Sequence, residues 1–254
     1  MLTPIDWHTH STASDGTLTP AALVQHARDC AVEEMALTDH DTIDGLDEAA
    51  RTAHESGIRF VPGIEISVNW RRHDLHIVGL NIDPENHALK SLTQHLAGIR
   101  VDRARNIGTR LDKLGYMGVY DGACALAGNE HPGRAHFARH LVNQGRIKTE
   151  RDAFKRLLGQ GKTAYVATGW PALEIVINTI RAAGGWSVLA HPLRYKLTAT
   201  KLREVMTAFK AAGGVGMEIV NGRQTQDETD MLTRLAQRYE FKSSRGSDFH
   251  SLQH

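Results

Sequence analysis

Asp6, His8 and His10 alternate near the start of the chain. If that run is extended, a period of two puts all three on one face. Two imidazoles so placed can chelate one ion, and Asp6 can orient one of the rings from behind. An HxH triplet alone fits two satisfied core histidines at least as well. The pattern, however, recurs. His40 follows Leu37, Thr38 and Asp39; Glu65 follows Pro62, Gly63 and Ile64; His76 sits inside Leu75 to Gly79; His191 follows Val188, Leu189 and Ala190; Asp248 and His250 close the run that begins at Gly246. A buried charge or imidazole on a core strand is costly unless paired or metal-bound, so polar residues at the ends of several apolar runs point to one shared site. No thiolate belongs to the set. Imidazole nitrogens and carboxylate oxygens suit zinc, manganese or iron with positions left open for water. Two or more such ions a few ångströms apart would turn a bridging water into a hydroxide nucleophile at neutral pH and neutralise a phosphoryl group.

The elements that must position these residues are seven strands expected at 5–10, 34–39, 59–67, 74–82, 186–191, 215–220 and 241–247, alternating with helical patterns. That rhythm argues for a parallel α/β arrangement whose strand ends form one rim. Thr19 is placed to cap a helix with Pro20 in its first turn, burying Leu23, Ala27 and Cys30. Leu202, Val205, Met206 and Phe209 repeat at helical spacing before Gly213 and Gly214, and Met231, Leu232, Leu235, Ala236 and Tyr239 make a further stripe. Such stripes are core. Residues 88–165 break the rhythm and read as an inserted helical lobe, which leaves 1–87 and 166–254 for the barrel.

Composition agrees with a catalytic metalloprotein more than with a binder of polyanions. The 254 residues are 41% apolar, enough for a full core, and 30 basic against 29 acidic residues give a net charge of +1. No global field steers the chain to nucleic acid or an anionic membrane, so any affinity for phosphate is local. Fifteen histidines are present and dispersed, roughly two to three times the ordinary usage for this length. The first residues show neither a basic nor an apolar signal region, and the two cysteines, Cys30 and Cys124, suggest reduced thiols, so a cytoplasmic protein is expected.

Taken together, Asp6-Trp7-His8-Thr9-His10-Ser11, Ser14-Asp15-Gly16, Thr38-Asp39-His40-Asp41-Thr42, Gly63-Ile64-Glu65 and Gly246-Ser247-Asp248-Phe249-His250 resemble the PHP (polymerase and histidinol phosphatase) domain family of the amidohydrolase superfamily. The resemblance covers essentially the whole chain. It implies a distorted (β/α)7 barrel holding two to three divalent ions, manganese first, with zinc or iron as alternatives. Carried over position by position, His8, His10, Glu65 and Asp248 would hold one ion, Glu65, His76 and His191 a second, and Asp15, His40 and His250 a third. His191 and Asp248, with a metal-bound water, would be the catalytic groups. Within the family, Ser14-Asp15-Gly16 and Pro132-Gly133-Arg134 are similar to the branch that removes the 3'-phosphate of nucleoside 3',5'-bisphosphates such as pAp and trims short 5'-phosphorylated RNA from its 5' end. The same resemblance implies a chain that continues somewhat past His254.

Holding a terminal phosphate calls for positioned cations, and the fork of arginine suits it. Arg134, then Arg194 with Tyr195 and Lys196 directly after His191, then Arg223 are the candidates, with His136 as a substrate contact or proton donor to the leaving oxygen. Two other readings compete: a histidinol-phosphate phosphatase, which shares the rim but needs a pocket for a small imidazole-bearing alcohol, and a non-catalytic metal-binding PHP module. No obligate protein partner is implied.

Overall fold

The computed structural model describes residues 4–222 and 224–252. The chain divides into two compact units, Met1–Thr93 with Trp170–His254, and Gln94–Gly169. In the first unit seven strands follow the chain in spatial order: β1 (Ile5–Asp6), β2 (Glu34–Leu37), β3 (Arg59–Trp70), β4 (His73–Leu80), β5 (Trp186–Leu189), β6 (Gly216–Asn221) and β7 (Lys242–Gly246). The last strand returns to the first. Trp7 N–H donates to Arg245 O at 3.0 Å, Asp248 N–H to His8 O at 2.8 Å and His10 N–H to Phe249 O at 3.0 Å, which nearly closes a barrel.

The sheet is not wholly parallel. β4 runs antiparallel to both β3 and β5, whereas the pairs β1–β2, β2–β3, β5–β6 and β6–β7 are parallel. The reason is local: only Arg71 and Arg72 separate β3 from β4, and Arg71 has a φ of +55°. Two residues close a hairpin but cannot hold the crossover that a parallel pair needs. Because β4 is reversed, its first half carries His76 beside β3. β1 is also shorter than the expected 5–10 run, so His8 and His10 lie beyond it, held by the backbone bonds to 245–249 described above.

Directly opposed antiparallel residues share a face. The register Glu65↔Val78 and Ser67↔His76, with Val78↔Val188, therefore lines one barrel face with Val61, Gly63, Glu65 and Ser67 from β3, His76, Val78 and Leu80 from β4 and Val188 from β5. Ala36, Val78, Leu80, Val188 and Ala190 form a buried plug with Val61, Trp7 and Trp186, the two indoles meeting edge-on at 5.9 Å. Glu65 and His76 stand above that plug.

Helices follow their sequence signals. α1 (Pro20–Asp29) is capped by Thr19, whose hydroxyl accepts from Ala22 N–H at 3.2 Å, and buries Leu23, Val24 and Ala27, while Cys30 ends the helix half-buried. α2 (Leu46–Ser56) links β2 to β3. After β4 come α3 (His87–Lys113), α4 (Val119–Ala127), α5 (Arg134–Asn143), α6 (Glu150–Ala153) and α7 (Leu173–Ala182), then α8 (Ala199–Ala211) and α9 (Gln226–Arg238). α8 buries the expected Leu202, Val205, Met206 and Phe209. α9 buries Leu232 and Ala236 but leaves Met231 exposed, so its apolar stripe is narrower than the spacing implied. The second unit has its own core of Ile107, Leu111, Val119, Phe137, Leu141 and Leu158. Among the described residues no helix is long and apolar enough to cross a membrane.

Candidate metal centre

Glu65 is the centre of the site. It is fully buried on β3, and its two oxygens face different neighbours: Oε1 lies 2.8 Å from His191 Nε2, 3.0 Å from His76 Nδ1 and 3.3 Å from His8 Nε2, while Oε2 lies 2.8 Å from His40 Nδ1 and 3.4 Å from His10 Nε2. Asp248 Oδ1 lies 3.4 Å from His8 Nε2, 3.2 Å from His10 Nε2 and 3.6 Å from His250 Nδ1. Asp15 Oδ1 faces His250 Nε2 at 3.3 Å and His40 Nε2 at 3.9 Å. All nine residues expected from the sequence as metal ligands are thus gathered at one end of the barrel.

Their potential ligand atoms form four overlapping groups, each within 4.8 Å: His10, Asp15, His40 and His250; His8, Glu65 and His191; His8, His10 and Asp248; and His40, Glu65 and His76. The partition differs in detail from that implied by the family resemblance. His10 also joins the Asp15 group, and His76 stands with His40 rather than with His191.

The donors fit divalent ions. Glu65 Oε2, which faces His40 and His10, is buried with no hydrogen-bond partner, a costly state that a cation relieves. His8 Nε2 and His10 Nε2 face each other at 3.1 Å. Ligand bonds of about 2.0–2.2 Å give tetrahedral or octahedral edges of roughly 2.9–3.5 Å, within which most of the separations here fall, the widest being His40 to Asp15 at 3.9 Å.

Electrostatics point the same way. Burial alone would raise the Glu65 carboxyl, but the imidazoles of His76, His40 and His8 hold it well below the usual range. Asp248 and Asp15 are held low against burial by their histidine neighbours, His8 first for Asp248 and His250 first for Asp15. Burial, then His250 and His40, push His10 down to about 3, so its ring is neutral at pH 7. Burial opposes the charged form of His250 as well, yet Asp15 and Asp248 outweigh it and lift the ring to about 9. His8 is raised well above its ordinary value: burial again opposes, and Glu218, Glu65 and Asp248 prevail.

The local backbone explains how these side chains converge. Asp41, His191 and Asp248 adopt positive φ of 59°, 26° and 55°, conformations that cost of order 1–3 kcal/mol for such residues and persist only where surrounding contacts enforce them. The loop carrying Asp15 is wound around Asp39, whose Oδ1 accepts from Ser11 N–H at 2.8 Å and from the Ser14 hydroxyl at 2.5 Å, and whose Oδ2 accepts from the Ser11 hydroxyl at 2.6 Å. Gly16 is required there, since a Cβ would stand 2.3 Å from His10 O; at Gly246 a Cβ would stand 2.2 Å from that of His8. Asp41 Oδ1 accepts from Ser67 N–H at 2.6 Å, tying the segment after His40 to β3.

Several residues have other jobs than expected. Asp6 does not orient an imidazole: its Oδ1 accepts from the backbone N–H groups of Ser247 at 2.8 Å and His8 at 3.3 Å, because the turn after β1 brings main chain to it. The carboxylate behind the His8 ring is Glu218 of β6, 2.5 Å from Nδ1. Glu218 was readable as an acidic residue inside an apolar run, Met217-Glu218-Ile219-Val220, the same signal that marked Glu65. Tyr195 spends its hydroxyl on the backbone, accepting from His76 N–H at 3.0 Å and donating to Ala190 O at 2.8 Å, so it ties strands together instead of presenting a free phenol. His136 is buried, and its Nδ1 accepts from Gly133 N–H at 3.1 Å, capping its own helix. Arg194 pairs with Asp248 Oδ2, its side chain half exposed, and Lys196 is exposed. Arg134 lies in the second unit, 5.8 Å from the ring centres of Phe154 and Tyr165. Arg223 falls outside the described residues.

Comparison with known proteins places this arrangement. The PHP domain model matches residues 6–167. The chain is 48% identical over 245 residues to a 5'-3' exoribonuclease of Haemophilus influenzae, covering 96% of this chain and 89% of that one. It is 43% identical over 248 residues to a 3',5'-nucleoside bisphosphate phosphatase of Chromobacterium violaceum, covering 97% and 87%. Among solved structures, an amidohydrolase from Chromobacterium violaceum with bound sulfate superimposes with a TM-score of 0.96 at 42% identity over 98% of this chain and 88% of that one. A proposed metal-dependent phosphoesterase from Bifidobacterium adolescentis gives 0.86 at 29% identity over 97% and 87%.

Proposed function

Since the chain belongs to the PHP domain family, we propose that it is a metal-dependent phosphoesterase that hydrolyses the 3'-phosphate of nucleoside 3',5'-bisphosphates, such as pAp to AMP, and releases 5'-mononucleotides from short 5'-phosphorylated RNA. The observation that carries the reading is the four interlocking His/Asp/Glu groups at one end of the barrel. Relatives named for the two activities at 43% and 48% identity support it. Both reactions cut the same kind of bond, with water displacing an oxygen at a 3'-phosphorus, so one site serves both.

In this reading the partition implied by the family is kept, although His76 groups more closely with His40: His8, His10, Glu65 and Asp248 would hold one ion, Glu65, His76 and His191 a second, and Asp15, His40 and His250 a third, with manganese the first choice. Bound ions supply Lewis acidity to the phosphoryl group and make water a nucleophile at neutral pH. The protein's part is to keep those donors fixed: His10 is uncharged at pH 7 and Glu65 and Asp248 are ionised, whereas the raised His8 and His250 must give up a proton to receive a cation. Arg194 and Lys196, directly after His191, provide positive charge for a phosphate, and Arg134 is the candidate anchor for the 5'-phosphate. Two free cysteines suit the reducing cytoplasm.

The test incubates manganese-loaded protein with pAp, with a 5'-phosphorylated RNA oligonucleotide and with histidinol phosphate, using Asp248→Asn as control. Phosphate from pAp, or stepwise 5'-mononucleotides from RNA, each lost in the variant, is the expected result. Turnover of histidinol phosphate alone would overturn the substrate, and none at all with metal bound would favour the non-catalytic module. Arg134→Ala should raise KM for a 5'-phosphorylated substrate far more than for its unphosphorylated counterpart; equal effects remove that role.

A further inference from the structure

Glu218 is a buried carboxylate, 1% exposed, that the proposed chemistry does not use. Both of its oxygens are occupied. Oε1 lies 2.5 Å from His8 Nδ1; Oε2 accepts from the backbone N–H of His191 at 2.6 Å and from Asn221 Nδ2 at 3.0 Å. One side chain on β6 thus grips an imidazole from the far end of the sequence and the main chain after β5.

We propose that Glu218 is the positioning residue that sets the metal-binding tautomer of His8 and the backbone of His191 together, an inference that rests on the metal reading above. The argument is geometric. With Nδ1–H donated to Glu218, the Nε2 of His8 is the atom left for a cation, and it is the atom aimed at Glu65, His10 and Asp248 at 3.3, 3.1 and 3.4 Å. His191 sits at φ +26°, a strained conformation that a strong bond to its N–H helps to hold. No neutral isostere satisfies all three partners. A glutamine at 218 with its oxygen toward His8 sets an NH2 against the N–H of His191. Turned over, it offers N–H to His8 Nδ1, moves the ring proton to Nε2 and removes that nitrogen from the metal.

The test compares wild type, Glu218→Gln and Glu218→Asp by calorimetric titration with Mn²⁺ and by the visible absorption of the Co²⁺ forms, alongside circular dichroism and melting of the metal-free proteins. Glu218→Gln should weaken Mn²⁺ binding by about 10- to 100-fold and shift the Co²⁺ bands, while the metal-free variant keeps its fold. Glu218→Asp, which retains the charge, should recover part of the affinity. Wild-type affinity and spectrum in Glu218→Gln would overturn the proposal, as would metal-free forms of both variants that no longer fold, since Glu218 would then serve the fold alone. If wild type itself takes up neither Mn²⁺ nor Co²⁺, the metal reading fails first and the inference with it, an outcome distinct from a wild type that binds and a variant that binds equally.

Discussion

The inner and outer parts of the site are built differently from the same residue types. The side chains of His8, His10 and Glu65 are fully buried and those of Asp248 and His191 4% and 8% exposed, whereas those of His40, Asp15, His250 and His76 run from 13% to 28%. The inner set is also held by other groups: Glu218 behind His8 and His191, and the close approach of Gly246 to His8. Two members of the outer set hang from turns, Asp15 from the loop around Asp39 and His250 from the segment after β7, where its Nδ1 lies 2.8 Å from Asp248 O, while His76 stands on β4. A desolvated, prearranged set should bind tightly and fix the reaction centre, and an exposed one should exchange with solvent and tune it.

The largest effect expected of this contrast is at Glu65. Glu65→Gln removes the charge that five imidazoles share, and kcat should drop by about 10³-fold or more, with fewer Mn²⁺ ions bound per chain. His250→Ala should cost less, about 10- to 100-fold, and added Mn²⁺ should recover much of it. If steady-state kinetics and metal content show equal losses in both, the division into inner and outer sites is wrong.

Chelation sharpens the contrast without mutation. Fully loaded protein dialysed against a weak chelator should lose its ions in two phases, the faster being at least about tenfold quicker, since exposed ligands exchange through solvent while buried ones wait for opening. Elemental analysis of timed samples reads this directly. In His40→Ala the fast phase should vanish, and in Glu218→Gln the slow phase should quicken. A single phase in wild type would mean that the ions leave as one cluster.

The inner site was also the more readable in sequence, and for a physical reason. Glu65 stands out because a carboxylate inside an apolar strand has no bland explanation, and the HxH spacing marked His8 and His10. Seven strands were recoverable because apolar β-rich runs bounded by turns have few other uses. What could not be read was direction and partnership. The two-residue link Arg71–Arg72 shows only in the structure, since the strands expected at 59–67 and 74–82 leave six residues between them, and the prevailing alternation with helices argued for parallel strands. Asp6 lay at the right spacing to support His8, and only the third dimension shows that the turn after β1 turns it to backbone while Glu218, 210 positions away, takes its place. Tyr195 and His136 were drawn toward substrate by their neighbours in sequence; their bonds to main chain depend on where strands and helix starts fall.

The pH dependence of the metal-free protein follows from the same groups. The folded-state values of His250, about 9, and of His8 lie above the unfolded value near 6.5. Their contribution to stability is therefore complete below about pH 6.5; that of His250 is lost as pH rises through about 9, and that of His8 is lost above 6.5 as its own raised value is passed. His10, at about 3, acts on the acid side: it stays neutral when folded, so stability falls as pH drops below about 6.5, joined near pH 4 by Glu65, Asp15 and Asp248. Thermal melts should show a decline of several degrees in Tm from pH 6.5 to 9 for the metal-free form. Saturating Mn²⁺ should flatten it, because an ion replaces the protons that hold the carboxylates together.

The smallest effect expected is at Tyr195, whose hydroxyl joins the two parts of the site. It accepts from the N–H of His76, an outer residue, and donates to Ala190 O, beside the inner His191. Tyr195→Phe keeps the ring in place and leaves one buried N–H and one buried carbonyl short of a partner, a loss of about 1–3 kcal/mol in stability. If the hydroxyl only holds the strands in register, kcat should fall a fewfold through a displaced His76, and KM should change equally for phosphorylated and unphosphorylated substrates. A selective rise in KM for the phosphorylated one, with stability unchanged, would instead return Tyr195 to the substrate-binding role that its place after His191 first suggested. That result would also move the boundary of the outer site, since the group that links it to the inner one would then face the reaction.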